Sequence, residues 1–198
     1  YISRFTREEF QRPSYMNNTF YNDIVRQGWP MLPLYDNNGQ LYDSPSPALS
    51  LRDGGKSKRQ TDRLIQQISL TATPMENWTI FGNFAYSKTD YFYHWELQKT
   101  YNYNINNEPY PAKTVSKVNE EAFRENYFNL NLYSQYLKSV GKNNFTFMAG
   151  IQLEETGNRF LMGEREGIIV PNIPLLDATS GTDYNGKTVP PKVSGRNN

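Results

Sequence analysis

The chain has 198 residues, no cysteine and a single histidine, which excludes disulfide frameworks, thiolate metal sites, cysteine nucleophiles and any centre built from several histidines. Its 21 basic and 20 acidic residues give a net charge of +1, so no field of one sign exists to gather nucleic acid. A mean hydropathy of -0.77 leaves no room for a membrane helix of about 20 apolar residues, although a membrane strand, alternately apolar and polar, escapes that test.

Residues 1 to 62 show little sustained periodicity and much turn chemistry, at Arg12-Pro13, Pro30, Pro33, Asp36-Asn37-Asn38-Gly39, Pro45, Pro47 and Asp53-Gly54-Gly55. They predict a long ordered loop with a short hairpin turning at Asn38-Gly39. Residues 63 to 88 then alternate. Leu64, Ile68, Leu70 and Ala72 oppose Gln67, Ser69, Thr71 and Thr73; after Pro74-Met75-Glu76-Asn77, the residues Trp78, Ile80, Gly82, Phe84 and Tyr86 oppose Thr79, Phe81, Asn83, Ala85 and Ser87. A period of two sustained this long predicts a β-hairpin.

Residues 89 to 125 predict a second long loop, dense in Tyr and Asn, with a helical turn from Asn119 to Arg124. A second hairpin follows over 126 to 154, setting Phe128, Leu130, Leu132 and Tyr136 against Asn129, Asn131, Tyr133 and Gln135. Beyond the turn at Ser139 to Asn144, it sets Phe145, Phe147, Ala149, Ile151 and Leu153 against Thr146, Gln152 and Glu154. Only Gln66 and Ser134 interrupt the apolar faces. Residues 155 to 198 predict a third long loop, with the apolar run Ile168-Ile169-Val170-Pro171 and turns at Ser180-Gly181 and Asn185-Gly186.

The expected class is all-β: four long strands in two hairpins, forming a segment of an antiparallel transmembrane β-barrel. A membrane strand needs about 9 to 11 residues and carries rings where lipid meets water. Trp78, Tyr136 and Phe145 lie beside the short turns, and Tyr86 and Phe128 lie at the opposite ends. On this reading Ile68 and its apolar neighbours face lipid, whereas Thr79, Asn83, Asn129, Asn131 and Gln152 face the lumen. A secreted β-sandwich with one wet face, binding carbohydrate through the same aromatic loops, is the alternative. Four strands would leave two unpaired edges in lipid, and the chain starts at Tyr1 without a secretory signal, so it reads as an internal piece of a larger barrel.

The run Gly28-Trp29-Pro30-Met31-Leu32-Pro33-Leu34-Tyr35-Asp36-Asn37-Asn38-Gly39, followed by Ser44-Pro45-Ser46-Pro47 and Arg52-Asp53-Gly54-Gly55, resembles a loop of SusC/RagA-type TonB-linked outer-membrane transporters. The stretches Asn129-Leu130-Asn131-Leu132-Tyr133-Ser134-Gln135-Tyr136, Gly150-Ile151-Gln152, Ile168-Ile169-Val170-Pro171 and Asp177-Ala178-Thr179-Ser180-Gly181 are similar in order and spacing. The resemblance implies a plugged barrel of about 22 strands in a Gram-negative outer membrane. It also implies energy supplied through TonB by a region N-terminal to this one, a SusD-like surface lipoprotein as partner, and uptake of glycans or peptides. The plug and the TonB-contacting segment are not visible in this sequence. A passive porin or adhesin barrel would share the strands.

Tyr91-Phe92-Tyr93-His94-Trp95 is the expected ligand surface, with Tyr91, Tyr93, His94 and Trp95 as its contacts, because sugars and peptides stack on rings with a polar tip. The bland alternative is loop packing, or contact with the lipoprotein. Gly55-Lys56-Ser57 resembles the end of a phosphate-binding loop but has Ser50 where a glycine is needed. Asp36-Asn37-Asn38-Gly39 carries calcium-type oxygens without the calcium-loop spacing, and Asn-Gly is above all a turn former. Glu154-Glu155 and Glu164-Arg165-Glu166 offer carboxylates but no sign of the geometry that glycoside hydrolysis needs. Neither enzyme chemistry nor a cofactor is expected.

Overall fold

The computed structural model describes residues 2–11, 31, 33–43 and 48–198. The turns expected at Arg12-Pro13, Pro30, Pro45 and Pro47, and the family-like Gly28–Pro30, Leu32 and Ser44–Pro47, lie outside the described residues. The elements are β1 (Ile2–Gln11), α1 (Ala48–Asp53), β2 (Lys56–Met75), β3 (Trp78–Leu97), β4 (Thr100–Tyr103), β5 (Pro109–Lys113), β6 (Lys117–Val140), β7 (Asn143–Glu166) and β8 (Lys192–Asn197). The class is all-β and antiparallel. Six strands form one sheet in the order β1-β2-β3-β6-β7-β8, and β4 and β5 form a small separate one. Among the described residues the large sheet is open, with β1 and β8 at its edges.

Both expected hairpins are present but longer at the open end. Strands β2 and β3 run 20 residues each, and β6 and β7 run 24. Much of what the sequence suggests as loop is therefore strand: β3 continues through 89–97, β6 starts at Lys117, β7 continues to Glu166, and β1 and β8 lie within the outer two connections. Alternation persists past Ser87, but the apolar residues change sides. Below Ser87 most rings and aliphatics stand at even positions, Phe81 being the exception; above it Tyr91, Tyr93 and Trp95 stand at odd ones, with Phe92 alone remaining on the even side.

The helical turn expected over Asn119 to Arg124 is corrected in the same way. Glu120, Glu121 and Ala122 favour a helix locally, yet the segment is held on one side by β3 and on the other by β7, so ladder pairing overrides propensity.

The turns at the other end are tight. Met75 pairs with Trp78 across Glu76-Asn77, with Asn77 at φ 65°, and Val140 pairs with Asn143 across Gly141-Lys142. A register shift between Ala72 and Met75 accommodates Pro74, which cannot donate to a ladder. The Asn77 carbonyl accepts from the Leu137 amide at 2.8 Å, fastening one hairpin to the next.

Buried apolar side chains gather at the opposite end. Leu49 of α1, Leu97 ending β3, Val118 starting β6 and Ile168 beyond β7 are each at most 8% exposed. The Ser116 hydroxyl accepts from the Ile168 amide at 3.0 Å, and its carbonyl accepts from Gly167 at 2.8 Å, which seats the third connection on β6.

Three connections use one hairpin loop. In Asp36–Gln40, Asn104–Glu108 and Asp183–Lys187 the first side-chain oxygen accepts from the amides two and four residues on, at 2.8 to 2.9 Å. Gly39, Asn107 and Gly186 occupy the left-handed position at φ 76°, 60° and 80°. The first two loops touch, through Asn38 Nδ2 donating to the Asn104 carbonyl at 2.8 Å. The turn expected at Asn38-Gly39 is thus present, and Asp36 Oδ1 is engaged by the backbone in forming it.

Candidate functional site

Cross-strand register aligns the alternating residues of four strands into two unlike faces. On one, Ile68–Phe84–Leu130–Leu153 and Leu70–Gly82–Leu132–Ile151 form continuous rows. Trp78–Tyr136–Phe147 bounds these rows at the turn end, and Tyr86–Phe128 bounds them at the other. Among the described residues nothing covers this face: Leu70 is 70% and Ile151 59% exposed. Of its two polar interruptions, Ser134 is explained by Trp78, whose Nε1 donates to the Ser134 hydroxyl at 2.7 Å.

The other face is polar over the same length. Asn83 pairs with Asn131 and Asn131 with Gln152, so the three amides lie in one row; Thr79 pairs with Gln135, and Asn129 lies between Ala85 and Glu154. All five residues expected to line a lumen therefore share one face. Phe81 stacks on Tyr133 here at 4.6 Å, and Tyr133 lies over Gly150, where an added Cβ would meet its Cβ at 2.7 Å.

Further from the tight turns, the polar face becomes aromatic and cationic. Arg59 lies directly opposite Tyr93 in register, with its guanidinium carbon 5.4 Å from the Tyr93 ring and 5.9 Å from the Tyr91 ring. Lys117 Nζ sits 5.2 Å from the Trp95 ring. Glu164 binds both Lys117 at 3.3 Å and Lys192 at 3.0 Å; burial works to raise its carboxyl, but the two ammonium groups outweigh it and hold the carboxyl below its usual range. Asn119 Nδ2 donates to Glu121 at 3.0 Å. Rings with flanking amides, carboxylates and cations can stack on a flat ligand and hydrogen-bond its edge.

His94 does not belong to this group. The expectation placed Tyr91, Tyr93, His94 and Trp95 together in a loop; they lie on β3, where alternation sends Tyr91, Tyr93 and Trp95 to the polar face and His94 to the other. There its Nδ1 is 2.6 Å from Glu120 and its Nε2 3.0 Å from Glu96. The Glu120 and Glu96 hydrogen bonds raise its pKa to about 9 against the opposing effect of burial, so the ring carries a proton at neutral pH.

The other candidates are resolved by placement. Gly55 joins the end of α1 to β2, the reverse of a phosphate-loop context; it stands at φ 108°, with Glu96 O only 2.5 Å from where a Cβ would lie. Lys56 lines a cleft of about 550 Å³ with Arg52, Glu96, Gln98, Tyr101 and Pro171, and Gln98 Nε2 donates to the Pro171 carbonyl at 3.0 Å across it. Glu154 and Glu155 face opposite sides of the sheet and do not form a carboxylate pair.

Arg59, Lys117 and Glu121 escape a sequence-only search because each sits far along the chain from the rings it adjoins. Their signal is register, which becomes legible only once the strands are extended beyond the hairpins. No family model matches the chain, and no curated protein matches it.

Proposed function

We propose that this chain is a segment of a plugged, TonB-dependent outer-membrane transporter that takes up glycans or peptides with a SusD-like lipoprotein as partner. The observation that carries the reading is the aligned apolar band, ring-bounded at both ends and backed by a polar face. From Trp78 to Tyr86 the band measures about 27 Å along the strand at about 3.4 Å per residue, which a tilt of about 40° turns into about 21 Å of height between ring positions, comparable to an outer-membrane apolar belt about 25 Å tall.

The uncovered state of that face favours lipid over the second sheet of a sandwich. Strands β2, β3, β6 and β7 then extend well past the outer leaflet, and Tyr91, Tyr93, Trp95 and Arg59 form part of a vestibule wall above the barrel. Transport proceeds by binding and gated passage, with the amide row Asn83–Asn131–Gln152 offering hydrogen bonds to the plug or the ligand. The open edges β1 and β8 are completed by further strands of the barrel.

Cell fractionation of the full-length protein tests this. It should extract only with detergent and migrate differently on a gel before and after heating; recovery in the soluble fraction would sink the proposal. Uptake that persists after collapse of the proton-motive force would instead favour a passive barrel.

A further inference from the structure

On the apolar side of the sheet, just beyond the Tyr86–Phe128 row, register sets Asp62 opposite Asp90, Asp90 opposite Arg124 and Arg124 opposite Arg159. Like charges directly opposite on one face are unfavourable unless something of the other sign is shared. Asp90 is already committed: Arg124 Nε donates to its Oδ1 at 2.6 Å, and Lys88 Nζ lies 2.9 Å from its Oδ2. Arg124 remains 54% exposed, so the outer edge of its guanidinium is open. Arg159 is exposed and makes no ion pair among the described residues.

The two arginines border a recess of about 190 Å³ whose remaining walls are Phe92, Ala122, Phe123, Leu161 and Asp90, the last a carboxylate already bound by Arg124 and Lys88. Asp62 lies on the far side of Asp90, and Glu155 stands in the Tyr86–Phe128 row below, so neither is set between the arginines.

We propose that Arg124 and Arg159 clamp the phosphate of a phosphorylated membrane lipid against the outside of the barrel. Guanidinium groups bind phosphate oxygens bidentately, and two of them facing the same gap suit a phosphate monoester. The lipid source is favoured over a soluble phosphate by continuity: the pair lies on the face that carries the apolar band, about 13 Å along the strand from Tyr86. Long arginine side chains reach back toward the interface from there. The inference rests on the membrane-barrel reading given above.

Native mass spectrometry of the detergent-extracted, full-length protein tests it, with phosphatidic acid as the probe, phosphatidylcholine as the neutral reference and inorganic phosphate as competitor. Wild type should retain phosphatidic acid in preference to phosphatidylcholine. R124Q/R159Q should bind it at least roughly tenfold more weakly, since each basic side chain at a membrane surface is worth about a factor of five. R159Q alone, which breaks no ion pair with a described residue, should lose about fivefold. K142Q, in the turn at the opposite end of the sheet, should bind as wild type.

Equal retention by R159Q and wild type overturns the proposal. So does displacement of the lipid by an equal concentration of inorganic phosphate, which would mark a soluble-anion site. Failure of the protein to enter the membrane fraction at all would instead count against the barrel.

Discussion

The Trp78 indole and the Ser134 hydroxyl meet at 2.7 Å across β3 and β6, on a face where every neighbouring row is apolar. The serine that interrupts the pattern is therefore the acceptor for the ring that bounds it. In S134A the indole N–H loses its partner, and a donor left unsatisfied away from water costs about 1 to 3 kcal/mol. The temperature at which the folded gel band converts to the unfolded one should fall, and W78F/S134A should recover most of the loss. Identical conversion temperatures for S134A and wild type would refute the account.

Gly150 is set by contact rather than by backbone angle, because Tyr133 occupies the space above it. G150A should cost about 1 to 3 kcal/mol by overpacking and displace Tyr133 from its stack on Phe81. Denaturant unfolding in detergent measures this. G150A/Y133A should be less destabilised than the sum of its single variants, and strict additivity would show that the two residues do not interact.

His94 gives a pH signature outside the apolar band. Its folded pKa of about 9 lies above the ordinary 6.5, so its bonds to Glu120 and Glu96 contribute fully below about pH 6.5 and are lost as the pH rises through 9. Nitrogen-15 NMR of histidine-labelled protein, with H94Q identifying the signal, should show a midpoint near 9. E120Q should move that midpoint down. A wild-type midpoint at 6.5 would mean that the two carboxylates do not hold the ring.

Asn107 fills the left-handed position that glycine fills in the two sister loops. An ordinary L-residue there costs about 1 to 2 kcal/mol and asparagine less. N107G should slow amide exchange within Asn104–Glu108 and N107A should speed it. Reversal of that order would show that the Asn107 side chain, rather than its backbone, stabilises the loop.

The sequence revealed the middle of the sheet better than its ends. Alternation from Leu64 to Tyr86 and from Phe128 to Leu153 was legible because one face is consistently apolar there, and Asp-x-Asn-Gly at Asp36 and Asp183 announced its own turns. Beyond Ser87 most rings, Tyr91, Tyr93 and Trp95 but not Phe92, cross to the other face, so a single periodic template stops matching although the strand continues. The same crossing hid the separation of His94 from Trp95: adjacent aromatic letters suggest one surface in a loop and two surfaces in a strand. Strand β8 left no apolar trace, since Lys192–Asn197 carries a single aliphatic residue, Val193.

The two-residue turns also order events in time. They close the smallest loops in the sheet, where chain entropy opposes contact least, and each later rung of β2–β3 or β6–β7 is added next to one already made. Ser57–Trp95 and Lys117–Glu166 are rungs at the far ends of these zippers. Zippering from the turns predicts that the aromatic and cationic patch assembles last, so substitutions at Arg59 or Tyr93 should change how fast the protein comes apart far more than how fast it goes together.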